Sequence, residues 1–323
     1  MKKISIILTA TLLLLGVSIS SAKTPQTETQ KDKNIQIFSV DNAKGDITAK
    51  SIEKAFNDSG LVVDVNNNMN SIFEKRYKHV HHKNYNLAIF HNDKSIVKLA
   101  KKYPTIGLIT PLSMSIYSND AKKTINISTL SLAGMARITK IPLTDPDLID
   151  YAKLIDTAVH KALPNGVYLS VSHTIETANK PLVTEFTTEL EVEEGSTYTE
   201  AKEALKEEFE SELGPVGFLV PKSYKLQETL FKENGLTDYD FFDTYSIIRF
   251  NAIYPVSKEH PDAGAYAPFS LLIYKKKGED TTHIIYPSID NWISDLDITD
   301  KETVKAVQET QDKIKNILNE LTE

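Results

Sequence analysis

Residues 104–117 read PTIGLITPLSMSIY, and residues 261–274 read PDAGAYAPFSLLIY. Pro104, Gly107, Pro111, Ser113, Ile116 and Tyr117 recur without a gap as Pro261, Gly264, Pro268, Ser270, Ile273 and Tyr274, at a constant offset of 157. Six identities over such a short stretch are hard to reach by chance, so the chain reads as two copies of one unit. Upstream, Tyr85–Phe90 aligns with Tyr245–Phe250 at an offset of 160. Downstream, Thr144 and Thr299 each open an amphipathic helix.

Hydrophobic periodicity fills in each copy. In copy one it predicts a strand over 35–40, a helix over 48–58 stopped by Gly60, short strands over 61–65 and 85–90, and a helix over 93–101. A hairpin of 107–117 with 124–130 and a last helix over 145–163 complete it. In copy two, Leu182 to Val192 alternates apolar and polar residues with glutamates on the outer side, a half-buried strand. Thr197 and Glu200 form a capping-box pattern that opens a helix running to about Leu213. A strand over 216–220, a helix over 223–233, a strand over 245–250, a hairpin of 264–274 with 282–289 and a closing helix capped by Thr299 follow. Ala252–His260 reads as a departure from the helix of copy one, and 167–175 as a long strand with no counterpart. The fold class is α+β: two similar α/β-sandwich-like repeats, with mostly antiparallel sheets covered by helices and related by a pseudo-twofold axis.

The ends and the composition restrict the setting. Lys2 and Lys3 precede an apolar run from Ile4 to Ile19 that closes on Ser20-Ser21-Ala22, the pattern of a secretory signal peptide. The expected division is therefore 1–22 signal peptide, 23–34 disordered lead-in, 35–166 copy one and 167–323 copy two, with a periplasmic or secreted location. The formal charge is -7, and it becomes more negative once Lys2 and Lys3 leave with the leader. That balance argues against a nucleic-acid partner, since phosphate binding is led by Lys and Arg. There is no cysteine, which removes disulfides, thiolate metal sites and thiol catalysis. Later apolar stretches are too short for a membrane span.

The pattern Ala55-Phe56-x-x-x-Gly60-Leu61, the Tyr85–Phe90 strand and Pro104-x-x-Gly107-x-x-x-Pro111 resemble a bacterial and archaeal family known as domain of unknown function 302. Its members occur singly or in tandem, and this chain resembles a tandem member over about residues 35–163 and 182–321. The resemblance implies an α+β fold that pairs. It implies no activity, so no catalytic residue is carried over.

Nucleotide, nucleophile-elbow and H-E-x-x-H signals are absent. Asp64-Val-Asn66-Asn-Asn68 begins like a calcium loop but has Met69 and Lys75 where that loop needs Gly and Glu. The densest ligand chemistry is KRYKHVHHK at 75–83, with His79, His81 and His82, and with His91 ending the next strand. Three readings of it stay open: a solvated basic loop, a contact for an anion or acidic partner, and a copper or zinc site using i and i+2 imidazoles of a strand. Copy two has the acidic Asp238–Asp243 run in the corresponding region, and a pairing of the two loops is a further, purely structural reading that needs no ligand. His173 lies on an apolar register and reads as a core histidine; Asp145, Asp147, Asp295 and Asp297 read as helix-end acids. Trp292 is expected to pack under the last helix. Tyr117, Arg137 and Tyr274 are the candidate ligand-lining residues, and no cofactor is required. The favoured function is non-enzymatic binding of a small molecule or protein partner at the repeat interface. An enzyme site assembled between the repeats from residues such as Arg137, His91 and Tyr274, and a histidine-based metal-handling protein, are the alternatives.

Overall fold

The computed structural model describes residues 33–170, 181–192 and 194–323. The leader, the lead-in up to residue 32, His173 and most of the expected 167–175 strand lie outside the described residues.

The first half runs β1 (Ile35–Asp41), α1 (Ala49–Asn57), β2 (Val62–Asn68), α2 (Met69–Tyr77), β3 (Tyr85–His91), α3 (Asp93–Ala100), a tight helical turn (Pro104–Ile109), β4 (Leu112–Asn119), β5 (Thr124–Leu130), α4 (Leu132–Thr139) and α5 (Pro146–Ala162). A short β6 (Val167–Tyr168) then pairs with the free side of β1. The second half runs β7 (Val183–Glu189), α6 (Tyr198–Leu213), β8 (Leu219–Lys225), a helical turn (Gln227–Phe231), β9 (Tyr239–Ile248), α7 (Phe250–Glu259), a second tight turn (Pro261–Ala265), β10 (Phe269–Lys276), β11 (Thr281–Pro287), α8 (Asp290–Leu296) and α9 (Lys301–Thr322). The strand orders are β2-β3-β4-β5-β1-β6 and β7-β11-β10-β9-β8. Read from the β2 and β8 edges, the two sheets are the same, with β6 added. Every pairing among the described residues is antiparallel.

Several expectations need correction. Ala252–His260 is no departure, because α7 is a full helix that carries Pro255 within it. The backbone of Ser223–Lys225 belongs to β8, and helix begins only after it. Gly107 and Gly264 lie in helical turns rather than in hairpin strands. The closing helix is capped by Asp300, whose carboxylate accepts from Thr303 N at 2.8 Å, not by Thr299. The offset of 160 at the third strand is also wrong. Phe90 pairs with Leu112, and Ile247 pairs with Phe269, so Phe90 corresponds to Ile247 at the same 157 as the rest of the unit. A slip of three residues would have turned every side chain to the opposite face. Thr197 and Glu200 do form the capping box over α6, and Asp145 caps α5.

The halves meet through the duplicated turns. A Cβ on Gly107 would lie 2.6 Å from Leu272 Cδ1, and a Cβ on Gly264 would collide with Ser115 Cβ. Leu272 and Ser115 occupy the same position in their copies, so each turn sits on the partner copy's β4 or β10 at one equivalent spot. Ser270 Oγ donates to Pro111 O at 2.8 Å, and Ser113 Oγ donates to Pro268 O, again reciprocally. Pro111 and Pro268 both follow cis peptide bonds. At Gly264 the small Ser115 lets the foreign turn come this close, and at Gly107 the glycine itself leaves room for the Leu272 side chain. The contact has the self-complementary form of a homodimer interface, made here within one chain.

One core runs through both halves, joining Leu87, Met114 and Phe90 to Leu272, Tyr266 and Val307. A second core lies under α6 and α9, built from Phe209, Phe241, Ile247, Leu271, Ile273 and Ile314.

Candidate functional site

At one side of the interface α2 of the first half crosses α7 of the second. Phe73 and Tyr77, four apart on α2, face the same way. Tyr77 stacks on Tyr254 at 3.8 Å between ring centroids and 16° between planes, and Phe73 meets Tyr254 edge-on at 5.0 Å. Tyr77 Oη donates to Asn251 Oδ1 at 2.8 Å, and the Arg76 guanidinium lies 5.2 Å over the Phe250 ring.

The histidines follow α2 in a loop, not in a strand. Lys78 ends the helix in the left-handed region at φ 58°. Asn70 Nδ2 donates to the carbonyls of His82 and Lys83 at 2.8 and 2.9 Å and holds the loop's far end. His82 Nε2 donates to Ser257 O at 2.6 Å. Across the interface Tyr239 Oη donates to Ala100 O at 2.7 Å. Both donor and acceptor are related by the same offset of 157, so His82 fills a structural post that Tyr239 fills in the other copy. His81 lies 4.5 Å from the Tyr254 ring and 5.3 Å from His79. Its Nε2 is buried without a partner. Burial, then the adjacent His79 and His82, pull His81 below the ordinary histidine value.

These side chains border an open cleft of about 850 Å³ between the halves, with Tyr77 and His81 on one wall, Tyr254, Lys258 and Glu259 on the other, and Asp300 at the start of α9 as its end. The equivalent place in the other copy is arranged differently. There Lys102 Nζ bridges from the end of α3 to Asp145 Oδ2 at 2.6 Å and Asp147 Oδ2 at 2.8 Å on α5. Burial acts against the charged Asp145, but the Lys102 ammonium and the helix N–H groups hold its carboxyl below the usual range. By the offset of 157, Lys102 corresponds to Glu259; Tyr77, His81 and Tyr254 correspond to Asn234, Asp238 and Val97. At these four positions of the cleft the copies differ.

The other sequence candidates are placed elsewhere. His91 sits on β3 between two carboxylates, with Nδ1 2.8 Å from Asp64 and Nε2 3.0 Å from Asp93; Tyr224 Oη donates to Asp64 at 2.6 Å. It is not joined to His79, His81 and His82. Among the described residues no group of three or more His, Asp or Glu side chains is arranged to hold a metal ion. Arg137 is an internal cross-link: its Nη1 lies 2.5 Å from Asp295 Oδ1, which also accepts from Asn34 at 2.6 Å, while Tyr266 donates to Oδ2. Asp295 is thus a buried partner within α8, not a helix-end acid. Tyr274 is buried and stacks on His283 at 4.8 Å, and Tyr117 is buried beside His82. Arg137, His91 and Tyr274 share no partner among these contacts. The Asp238–Asp243 run does not face the histidine loop: Asp240 pairs with Lys275 and Asp243 with Lys206, both at 2.7 Å. Trp292 is buried against Tyr266, 6.1 Å between centroids. Sequence reasoning passed over Tyr254 and Glu259; a copy-against-copy comparison at 157 is the signal that would have raised them.

The chain is thus an α+β protein of two equivalent halves with a cleft where they meet. Residues 190–321 match the family model for the domain of unknown function DUF302. Among solved structures the chain is similar to an uncharacterized conserved protein DUF302 from Bacillus stearothermophilus, at 19% identity, 42% coverage of this chain, 95% of that one, and a TM-score of 0.33. No curated protein matches. Among the described residues no helix is long and apolar enough to cross a membrane.

Proposed function

We propose that this is an exported, non-enzymatic binding protein that takes a small molecule in the cleft between its halves. The observation that carries the reading is the departure from internal symmetry. The interface repeats the same contacts at Gly107 and Gly264, at Ser113 and Ser270, and at His82 and Tyr239. At the cleft alone among these places, the bridging Lys102 gives way to Glu259, and aromatic side chains replace Val97 and Asn234. A duplicated interface needs no such difference for stability. A concave site with aromatic walls and a few polar groups is what small ligands use.

Native mass spectrometry of the protein purified from its own host tests this. The expected result is a mature chain beginning near Lys23 that carries a retained small molecule, which is lost in Tyr254→Ala while the fold, followed by circular dichroism, is kept. A wild-type chain that binds nothing in a small-molecule screen, or one that keeps its ligand in Tyr254→Ala, sinks the assignment to this cleft.

A further inference from the structure

The molecule contains its own comparison for the chemistry of the cleft. In the first half, the N-cap Asp145 and Asp147 at the second helical position of α5 receive an ammonium from Lys102, with Lys98 Nζ also 3.2 Å from Asp147. The positive end of the helix dipole does not prevent this, because two ionised carboxylates outweigh a partial charge of about half a unit. In the second half, Asp300 and Glu302 stand at the same two positions of α9. Asp300 still caps the helix through Thr303 N, and burial of its carboxyl is again outweighed, so it stays below the usual range. No Lys or Arg nitrogen among the described residues lies within 4.0 Å of either carboxylate. Glu259 has taken the place of the bridging lysine, and its own contact is Lys258 at 3.5 Å, with both side chains more than half exposed. The cleft end therefore gathers Glu259, Asp300 and Glu302 with Lys258 and Lys301, and His260 is the positive neighbour that helps to hold Asp300 low, so no lysine bridges these carboxylates as Lys102 does in the first half.

We infer that the cleft binds a small molecule carrying an ammonium group, which takes the post that the Lys102 ammonium holds in the other half, with its apolar body against Tyr254 and Tyr77. This rests on the binding function proposed above. Two further features suit such a ligand. The first is Tyr77, which brings to the cleft wall an aromatic ring toward which a desolvated cation is attracted. The second is His81, which lines the cleft and whose Nε2 has no hydrogen-bond partner.

Isothermal titration of the full mature chain with 2-phenylethylamine, 2-phenylethanol and 3-phenylpropanoate tests the inference, because the three share a body and differ in the head group. The amine should bind at least tenfold more tightly than either of the others, with the preference shrinking as salt is raised. Glu259→Lys restores the arrangement of the first half. It should lose at least tenfold in amine affinity while melting no lower than wild type. Asp300→Asn keeps a good helix cap and removes the charge; it should also weaken the amine and leave the phenylethanol unchanged. Equal binding of all three probes, each lost in Tyr254→Ala, would overturn the ammonium assignment and leave the cleft in place. Unchanged amine binding in Glu259→Lys would overturn it too. Failure of the wild type to bind any of the three overturns both.

Discussion

Gly107 and Gly264 hold equivalent positions, yet the structure gives them unequal tolerance. A Cβ at Gly107 meets the end of the Leu272 side chain, at 2.6 Å from Cδ1, and that end can rotate away. A Cβ at Gly264 meets Ser115 at its Cβ and, at 2.9 Å, at its Cα, which is backbone of a central strand. Neither glycine needs a left-handed conformation, so the argument is one of space alone. Gly264→Ala should cost about 2–3 kcal/mol, at the upper end of overpacking, and Gly107→Ala about 1 kcal/mol. Chemical denaturation of the two variants checks the difference; equal losses would mean that β4 yields as easily as a leucine tip. Arg137 carries the same lesson about chemistry read from sequence. An arginine beside tyrosines invites a ligand, but here it neutralises Asp295, whose carboxyl is raised by burial despite Tyr266, Arg137 and Asn34 around it.

At the scale of the element, α6 is anchored by charge as much as by its apolar face. Lys206 is buried and lies 2.7 Å from Asp243 on β9 and 3.0 Å from Glu203 on its own helix. Burial raises Glu203, but Lys206, Lys225 and Lys202 outweigh it and hold its carboxyl at about 2. A carboxylate lowered on folding contributes stability above its unfolded value and loses it as pH falls through the folded one. Glu203 therefore contributes fully above about pH 4.5 and progressively less down to about 2. Asp243 acts in the opposite sense, since burial raises it more than Lys206 lowers it. Glu203→Gln should melt below wild type at pH 6, with the gap closing as pH falls toward 2. Parallel melting curves across that range would show that Glu203 is not the source of the acid sensitivity. The α2–α7 crossing belongs to this scale as well. Its stacked tyrosines come one from each half, and their partners at the equivalent crossing are not aromatic, so only one of the two helix pairs can present a ring wall to a ligand.

For the whole molecule, the reciprocal turns and the core shared between Leu87, Met114, Leu272 and Val307 mean that each half leaves a large apolar face bare without the other. The intact chain should unfold in a single transition. Residues 23–166 and 167–323 expressed apart should each melt well below it or associate, because joining the copies makes their contact intramolecular at a high effective concentration. Halves that stay monomeric and melt with the intact protein would remove the interface, and the cleft with it.

The sequence by itself determined the duplication, the α+β class and most elements, because these rest on local periodicity, caps and turn residues that neighbouring positions specify. Thr197 with Glu200, Asp145 before α5, and the Gly-Pro spacing of the turns are of this kind. It placed the third strand three residues off, because Tyr and Phe at matching spacing imitate homology where only pairing to β4 and β10 fixes the register. It assembled His79, His81, His82 and His91 as one ligand set, because spacing along a chain does not measure distance: β3 carries His91 away to Asp64 and Asp93 while Asn70 holds the others at the interface. Only the tertiary structure put Tyr254 on Tyr77, and brought Glu259 and Asp300 to one cleft while Lys102 meets Asp145 in the first half. Those contacts join residues far apart in sequence, and packing the two copies face to face, not any local preference, decides which of them meet.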